Sequence, residues 1–272
     1  MAVRIVGNPL GYFHDPLETT LSLMAETGYD DIEICHSQIT DFRTPELREQ
    51  FREYIESLEM KLVGSNVPDS AYFQTLGSSE DVKVALAGIE RDLDIAADLG
   101  ANYLITYEGR VPPGSTDAII FGRLLDDTVE LLQQASSYGA ERNIDVLIEI
   151  HPFTLGINLD FAVQLCDRVN MENFGIAYDS CHFAVGLPNG YIDAIRILGH
   201  RIKHVHFSDS DQSNSELHFP PGRGCLDMDG IVQALKEISF SGCWMLDLYL
   251  YPLPVYGSRE GLTYMRKMLE NF

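Results

Sequence analysis

A single (β/α)8 barrel is the fold this sequence predicts, and three observations predict it. Short apolar runs rich in β-branched residues alternate along 272 residues with longer segments in which apolar residues recur every three or four positions. Eight such pairs follow one another, and about 250 residues is the usual size of an eight-unit barrel. The runs are continuously apolar rather than alternating, as in parallel strands covered on both faces. A doubly wound open sheet fits less well, because no GxGxxG turn follows the first run.

Taken in order, VRIVG at 3–7 precedes a helical pattern at 16–27, DIEIC at 31–35 one at 44–58, and KLVGSN at 61–66 one at 79–98. NYLITY at 102–107 leads to 117–138, and DVLIEI at 145–150 to 159–169. FGIAY at 174–178 leads to 190–199, IKHVHF at 202–207 to 228–237, and CWMLDL at 243–248 to 258–270. No linker rich in Pro, Gly or Ser interrupts this rhythm, so residues 1–272 are expected to form one domain. The longest connections, 67–77, 108–116 and 208–226, all follow strands, where the active-site loops of a barrel belong.

Composition excludes several function classes. Nineteen basic against 41 acidic side chains give a net charge of −22, a repulsive field toward phosphate backbones and anionic lipid. Nucleic acid and membrane partners are therefore not expected, and the spread of the acidic excess over helices reads as solubility. The 45% apolar fraction is enough to build a core. Five cysteines without CxxC pairs suit a reducing compartment. The start MAVRIVGNPLGYFHDP lacks the apolar stretch of a secretory signal, and no segment has 18 uninterrupted apolar residues. A cytoplasmic protein is the expectation.

In such a barrel the chemistry lies at the C-terminal ends of the strands. The last four strands end in VLIEIHP with Glu149, AYDSCH with Asp179 and His182, KHVHFSD with His206, and WMLDLYL with Asp247. Converging carboxylates repel one another, and a divalent cation keeps them ionised together. Oxygen ligands with one imidazole suit Mn²⁺ above all, with Mg²⁺, Co²⁺ or Zn²⁺ as alternatives. Each residue also has a plainer reading: Glu149 as a salt-bridge or capping residue, Asp179 as a helix cap, and one of His204 and His206, which share a strand face, as a core histidine. Four such residues on four successive strands weigh more than any one of them.

These residues resemble the xylose isomerase-like TIM barrels, which include ketose 3-epimerases, inosose dehydratases and isomerases, and endonuclease IV. The matching pieces are GYDDIEI at 28–34, IEIHP with Glu149, AYDSCH against the family's D-x-x-H, KHVHFSD with His206, PPGRGCLD at 220–227, and FSGCWMLD against its G-x-x-x-x-E strand. The resemblance runs over nearly the whole chain from Gly28. It implies that Glu149, Asp179, His206 and Asp247 are metal ligands and that His182 touches substrate. The eighth strand departs from the pattern, since ketose epimerases usually carry Glu where this chain has Asp247, which puts in doubt a mechanism with one carboxylate base on each face of the sugar.

Further candidates are Arg223, whose forked donors suit a substrate oxygen or carboxylate or order its own loop, and His218 in the same loop. His151 and Glu108 follow strands five and four and are placed to line the pocket or to serve the surface. Glu33 ends strand two, where the resemblance implies an acidic residue and an internal salt bridge fits equally well. Tyr12, Phe13, Phe153, Phe183, Trp244 and Tyr249 are candidates to stack on a sugar's C–H face or to fill the core.

A cation with open positions would bind adjacent carbonyl and hydroxyl oxygens of a polyol as a Lewis acid, and Glu149 would remove the acidified α proton to give an enediolate. The expected activity is thus a metal-dependent sugar or polyol isomerase or epimerase, with Glu149 as base and Asp247 in a secondary catalytic role. A lyase using the same base is the alternative, and a noncatalytic barrel needing a partner chain is a third. No phosphate-gripping glycine loop follows strands seven or eight, so the small-molecule substrate is expected to be unphosphorylated. Homo-oligomerisation is left open.

Overall fold

In a computed structural model of the protein, eight parallel strands close into a barrel in strict chain order, and β1 pairs with both β2 and β8. The structure describes residues 4–12, 14–36, 44–67, 76, 78–110, 118–270 and 272. The strands are β1 Arg4–Gly7, β2 Asp31–Cys35, β3 Lys61–Asn66, β4 Tyr103–Thr106, β5 Asp145–Glu149, β6 Phe174–Asp179, β7 Ile202–Phe207 and β8 Cys243–Leu246. Each expected strand is present, its ends moved by a residue or two. The expected helices are α1 Leu17–Thr27, α2 Pro45–Ser57, α3 Ser79–Asp98, α4 Ala118–Ala140, α5 Leu159–Val169, α7 Tyr191–Leu198, α8 Met228–Glu237 and α9 Pro254–Leu269.

Helix α6, Ser180–Gly186, was not expected. Strand β6 runs into it with no intervening loop, and Asp179 is at once the last strand residue and the N-cap, accepting from the His182 amide at 2.7 Å. Helix α9 also begins four residues earlier than its apolar pattern, at Pro254, a residue suited to the first helical turn.

Strand geometry sorts side chains by parity, because successive residues point to opposite faces. One parity of β5–β8, including Val146, Ile148, Ile176, Tyr178, Val205 and Trp244, joins the large core between barrel and helices. The other parity fills the barrel itself with Val6, Val63, Tyr103, Ile105, Leu147, Ala177 and Met245. Continuing that inner parity toward the C-terminal ends leads from Leu147 to Glu149, from Ala177 to Asp179, from His204 to His206 and from Met245 to Asp247. The barrel thus has a polar upper rim over an interior that is apolar apart from a buried layer holding Glu33 and His204. Of the long connections, 208–226 is described throughout, whereas most of 67–77 and 108–116 lies outside the described residues, as does Phe13.

Candidate active site

Parity and register bring four ligand-type side chains together at the rim. Asp179 pairs in register with His206 across β6 and β7, and Glu149 sits one strand away. One atom from each of Glu149, Asp179, His206 and Asp247 lies within 4.8 Å of the others. This spread suits ligands around one small divalent ion, whose bonds to oxygen are about 2.0–2.6 Å long. All four residues are buried. His206 Nδ1 is 2.7 Å from Glu149 Oε1 and 3.9 Å from both Asp179 Oδ2 and Asp247 Oδ2. Asp179 spends Oδ1 on the α6 cap, and its Oδ2 is buried with no hydrogen-bond partner. A buried, unpartnered carboxylate oxygen aimed at two further carboxylates is a donor that a cation would satisfy.

The same burial acts differently on each group. It opposes ionisation of Glu149, but His206 and His151 override it and hold this carboxyl well below the usual range. The His206 imidazole, drawn down by burial, is lifted well above its ordinary value by Glu149 and Glu33. Burial pushes Asp179 up to about 6, with Glu149 and Asp247 adding to the shift and His218 opposing it. Asp247 is lowered, because His218 outweighs its burial. His182 falls well below its ordinary value, first through burial and then through His151.

These groups open on a cavity of about 260 Å³. His151, His182 and His218 stand on its wall, with Tyr107, Tyr249 and Leu10 supplying apolar surface. His151 Nε2 is 3.5 Å from Glu149 Oε2, and His182 Nδ1 is 3.6 Å from Glu149 Oε1. His218 Nδ1 is 3.1 Å from Asp247 Oδ2, while its Nε2 lies 2.8 Å from the Ser215 carbonyl. A wider groove of about 440 Å³ between α4 and α5, walled by Phe121, Leu125 and Phe161, lies away from this cluster.

The loop carrying His218 is built around Asp209. Its buried carboxylate accepts from the amides of Ser210, Gly222, Gly224 and Leu226 at 2.8–3.0 Å. Phe219 and Asp209 exchange backbone hydrogen bonds, and the His218 amide donates to the Tyr249 carbonyl at 3.0 Å. Gly224 packs so closely on Asp209 that a Cβ there would fall 2.4 Å from Oδ1. The connection is therefore an ordered wall rather than a loose flap.

Two of the expected site residues stand elsewhere. Arg223 does not line the cavity: the chain turns at Gly222, where φ is +84°, and the exposed guanidinium pairs with Glu260 and Tyr256 on α9. Glu108 is buried but turned away from the cavity, accepting from the Gly156 amide at 2.7 Å, and burial raises it to about 7. Among the described candidate aromatics, Tyr249 lines the cavity, beside Tyr107. Trp244 is enclosed by Phe207, Phe240 and Phe272, Phe183 stacks on Tyr178, and Tyr12 is buried with its hydroxyl on the Pro254 carbonyl.

Residues 21–268 match the sequence profile of the xylose isomerase-like TIM barrel. The chain belongs to that family. Over 273 residues it is 23% identical to the fructoselysine 3-epimerase of Escherichia coli O157:H7, covering 96% of this chain and 94% of the relative. Over 248 residues it is 24% identical to the inosose isomerase of Bacillus velezensis, covering 86% and 83%. The barrel superposes on a D-tagatose 3-epimerase-like protein with a TM-score of 0.82 at 19% identity, over 98% of each chain. It superposes on the D-psicose 3-epimerase of Clostridium cellulolyticum H10 with a TM-score of 0.81 at 15% identity, over 98% and 99%. At these identities the structural likeness speaks for the fold.

Within this xylose isomerase-like frame, Glu33, expected as a strand-end acid or an internal salt bridge, lies below the rim among ion-pair partners, while Tyr107, Asn66, Cys35 and Glu216 escape a reading by strand ends. Glu33 is wholly enclosed below His206, with its Oε1 3.3 Å from His206 Nε2 and its Oε2 3.0 Å from His204 Nε2. Parity was the available signal, since Ile32 and Ile34 face the helices and Glu33 must face inward. Tyr107 follows the inward Tyr103 and Ile105 in the same way. Asn66, Cys35 and Glu216 complete the wall, and nothing in the local sequence marks Glu216. No described helix is long and apolar enough to cross a membrane.

Proposed function

We propose that this protein is a divalent-metal-dependent isomerase or epimerase of an unphosphorylated ketose or polyol, with Glu149, Asp179, His206 and Asp247 as the metal ligands and Mn²⁺ as the favoured ion. The observation that carries the reading is the buried convergence of these four groups around the unpartnered Asp179 Oδ2. The family's curated relatives, named as fructoselysine 3-epimerase and inosose isomerase, point to the same substrate class. A bound cation supplies Lewis acidity toward adjacent carbonyl and hydroxyl oxygens.

The remaining work falls to side chains of this chain. Glu149, held ionised, takes the proton from the carbon next to the substrate carbonyl and returns it on the same side to the neighbouring carbon for an isomer. An epimer needs a proton delivered to the other face by Asp247, 3.1 Å from His218. Asp247 is chiefly a ligand, with its Oδ1 accepting from the Tyr249 amide and its Oδ2 facing His218, and proton transfer is its secondary role. His182, kept neutral, can both donate to and accept from a substrate hydroxyl. His151 and His218 hold further hydroxyls, and Tyr107, Tyr249 and Leu10 cover the C–H surface. No Lys or Arg is among the described residues of the cavity wall, which favours a substrate without phosphate.

The test is incubation with Mn²⁺ and a panel of ketoses and inososes in D2O, scoring products and deuterium uptake. Wild type should place deuterium at the carbon next to the carbonyl, and Glu149→Gln should abolish uptake while remaining folded. Uptake at the wild-type rate in Glu149→Gln would move the base elsewhere, and a dehydrated product would assign the site to elimination instead.

A further inference from the structure

We propose that Glu33 is a positioning residue: from one layer below the rim it fixes the His206 imidazole so that Nδ1 faces Glu149, Asp179 and Asp247, and so sets how tightly the rim holds a divalent cation. The inference rests on the reading of His206 as a ligand. Glu33 is fully buried inside the barrel, where an uncompensated carboxylate is costly, and three hydrogen-bond donors and two imidazoles surround it. Oε1 accepts from Asn8 Nδ2 and Asn66 Nδ2, both at 3.2 Å, and lies 3.3 Å from His206 Nε2. Oε2 accepts from the Tyr103 hydroxyl at 2.9 Å and lies 3.0 Å from His204 Nε2.

As a carboxylate Glu33 only accepts, so it is the acceptor that an Nε2–H of His206 faces. With a ring proton held there, a cation at the rim would meet the Nδ1 lone pair, whereas without one Nδ1 carries a second hydrogen toward Glu149 Oε1 at 2.7 Å. The ring is also fixed in orientation, standing perpendicular to His204 with centroids 5.1 Å apart, and His204 leans on Tyr103 at 4.6 Å. Both oxygens of Glu33 tie β2 to its surroundings, Oε1 through Asn8 and Asn66 and Oε2 through Tyr103, and Oε1 is the one that also faces His206.

The experiment measures Mn²⁺ binding by calorimetry on the full chain, with the visible absorption of the Co²⁺-loaded protein and the melting temperature of the metal-free protein alongside. Glu33→Gln should weaken Mn²⁺ binding about 10- to 100-fold and alter the Co²⁺ spectrum, the usual scale for a residue that orients a ligand. Tyr103→Phe removes one partner of Oε2 and leaves those of Oε1 in place, so it should lower the melting temperature while changing Mn²⁺ affinity much less than Glu33→Gln does, within about twofold. If Glu33→Gln is folded and binds Mn²⁺ like wild type, or if Tyr103→Phe weakens binding equally, the inference is overturned. Should Glu33→Gln not fold, Glu33→Asp decides in its place: it keeps the charge but draws the oxygen back from His206, and unchanged Mn²⁺ affinity would refute the positioning role. His206→Ala separates the two levels. Undiminished Mn²⁺ binding there removes His206 as a ligand, whereas lost binding together with an unaffected Glu33→Gln removes only the role of Glu33.

Discussion

Strands β1–β4 reach the rim with Gly7, Cys35, Asn66 and Thr106, whereas β5–β8 carry Glu149, Asp179, His206 and Asp247 at or beside their ends. Both halves obey the same parallel pairing and parity, so the backbone does not distinguish them. What differs is the chemistry hung on equivalent positions. The first half offers small and neutral groups, and its inward carboxylate, Glu33, sits a layer lower. Three buried acids then respond to burial in three ways: Glu33 is held far below the usual carboxylate range by His206 and His204, Asp179 rises to about 6 beside like charges, and Glu108 rises to about 7 away from the cluster. Burial alone raises a carboxyl, and its neighbours decide whether that rise survives.

The sharpest way to break this contrast is to remove one rim group from each half. Asp179→Ala should lose stoichiometric metal in elemental analysis, and Cys35→Ala should keep it; equal loss would erase the division between halves. Next comes Asp247, which stands where the resemblance leads one to expect Glu. Asp247→Asn should weaken Mn²⁺ binding, while Asp247→Glu should match or exceed wild-type turnover. A misplacement of about 1 Å can cost on the order of 100-fold in rate, so a clear loss in Asp247→Glu would show that the shorter side chain is the fitted one.

A smaller effect is expected from Glu108. Its carboxyl is raised from 4.5 to about 7, so the stability it permits is complete below pH 4.5 and is lost as the pH rises toward and beyond 7. This corresponds to about 3 kcal/mol at most between those limits. Glu108→Gln keeps the acceptor for the Gly156 amide, so denaturant titrations across that range should show a flatter pH dependence than wild type and a gain above pH 7. An identical pH slope in both proteins would mean that Glu108 ionises freely in the fold. The least effect is expected from Arg223→Ala, whose exposed pair with Glu260 lies outside the cavity. Both kcat and KM should be unchanged, and a raised KM would put the guanidinium on the substrate.

The eight strands and the four rim residues were legible because apolar runs and their polar ends are local patterns. The residues that were misplaced depend on partners far along the chain. Arg223 is aimed by the turn at Gly222 and received by Glu260 on α9, neither of which its own loop announces. Glu108 follows the inward Tyr107, so the parity of β4 already turns it from the cavity, but its partner Gly156 lies beyond β5. Helix α6 was hidden because Asp179 belongs to both strand and helix, and pattern reading assigns a residue once. Asp209, with its four amides, lies in a stretch without periodicity, where only the folded loop shows its purpose.

The pairing of β1 with β8 joins Arg4 to Cys243 and Gly7 to Leu246, opposite ends of the chain. Until β8 is made, β1 and β7 each present an unpaired edge, the kind of surface that recruits other chains. Such long-range pairing is slow to form, because loop entropy is lost before the contacts are gained. Asp247 follows directly on β8, and the orientation of His206 depends on Glu33 from the second strand. During synthesis, then, the rim becomes whole in the same event that removes the two sticky edges. Any ligand that needs all four rim groups binds only the closed barrel and stabilises it by mass action, so its presence in the cell would shorten the interval in which a newly made chain can aggregate.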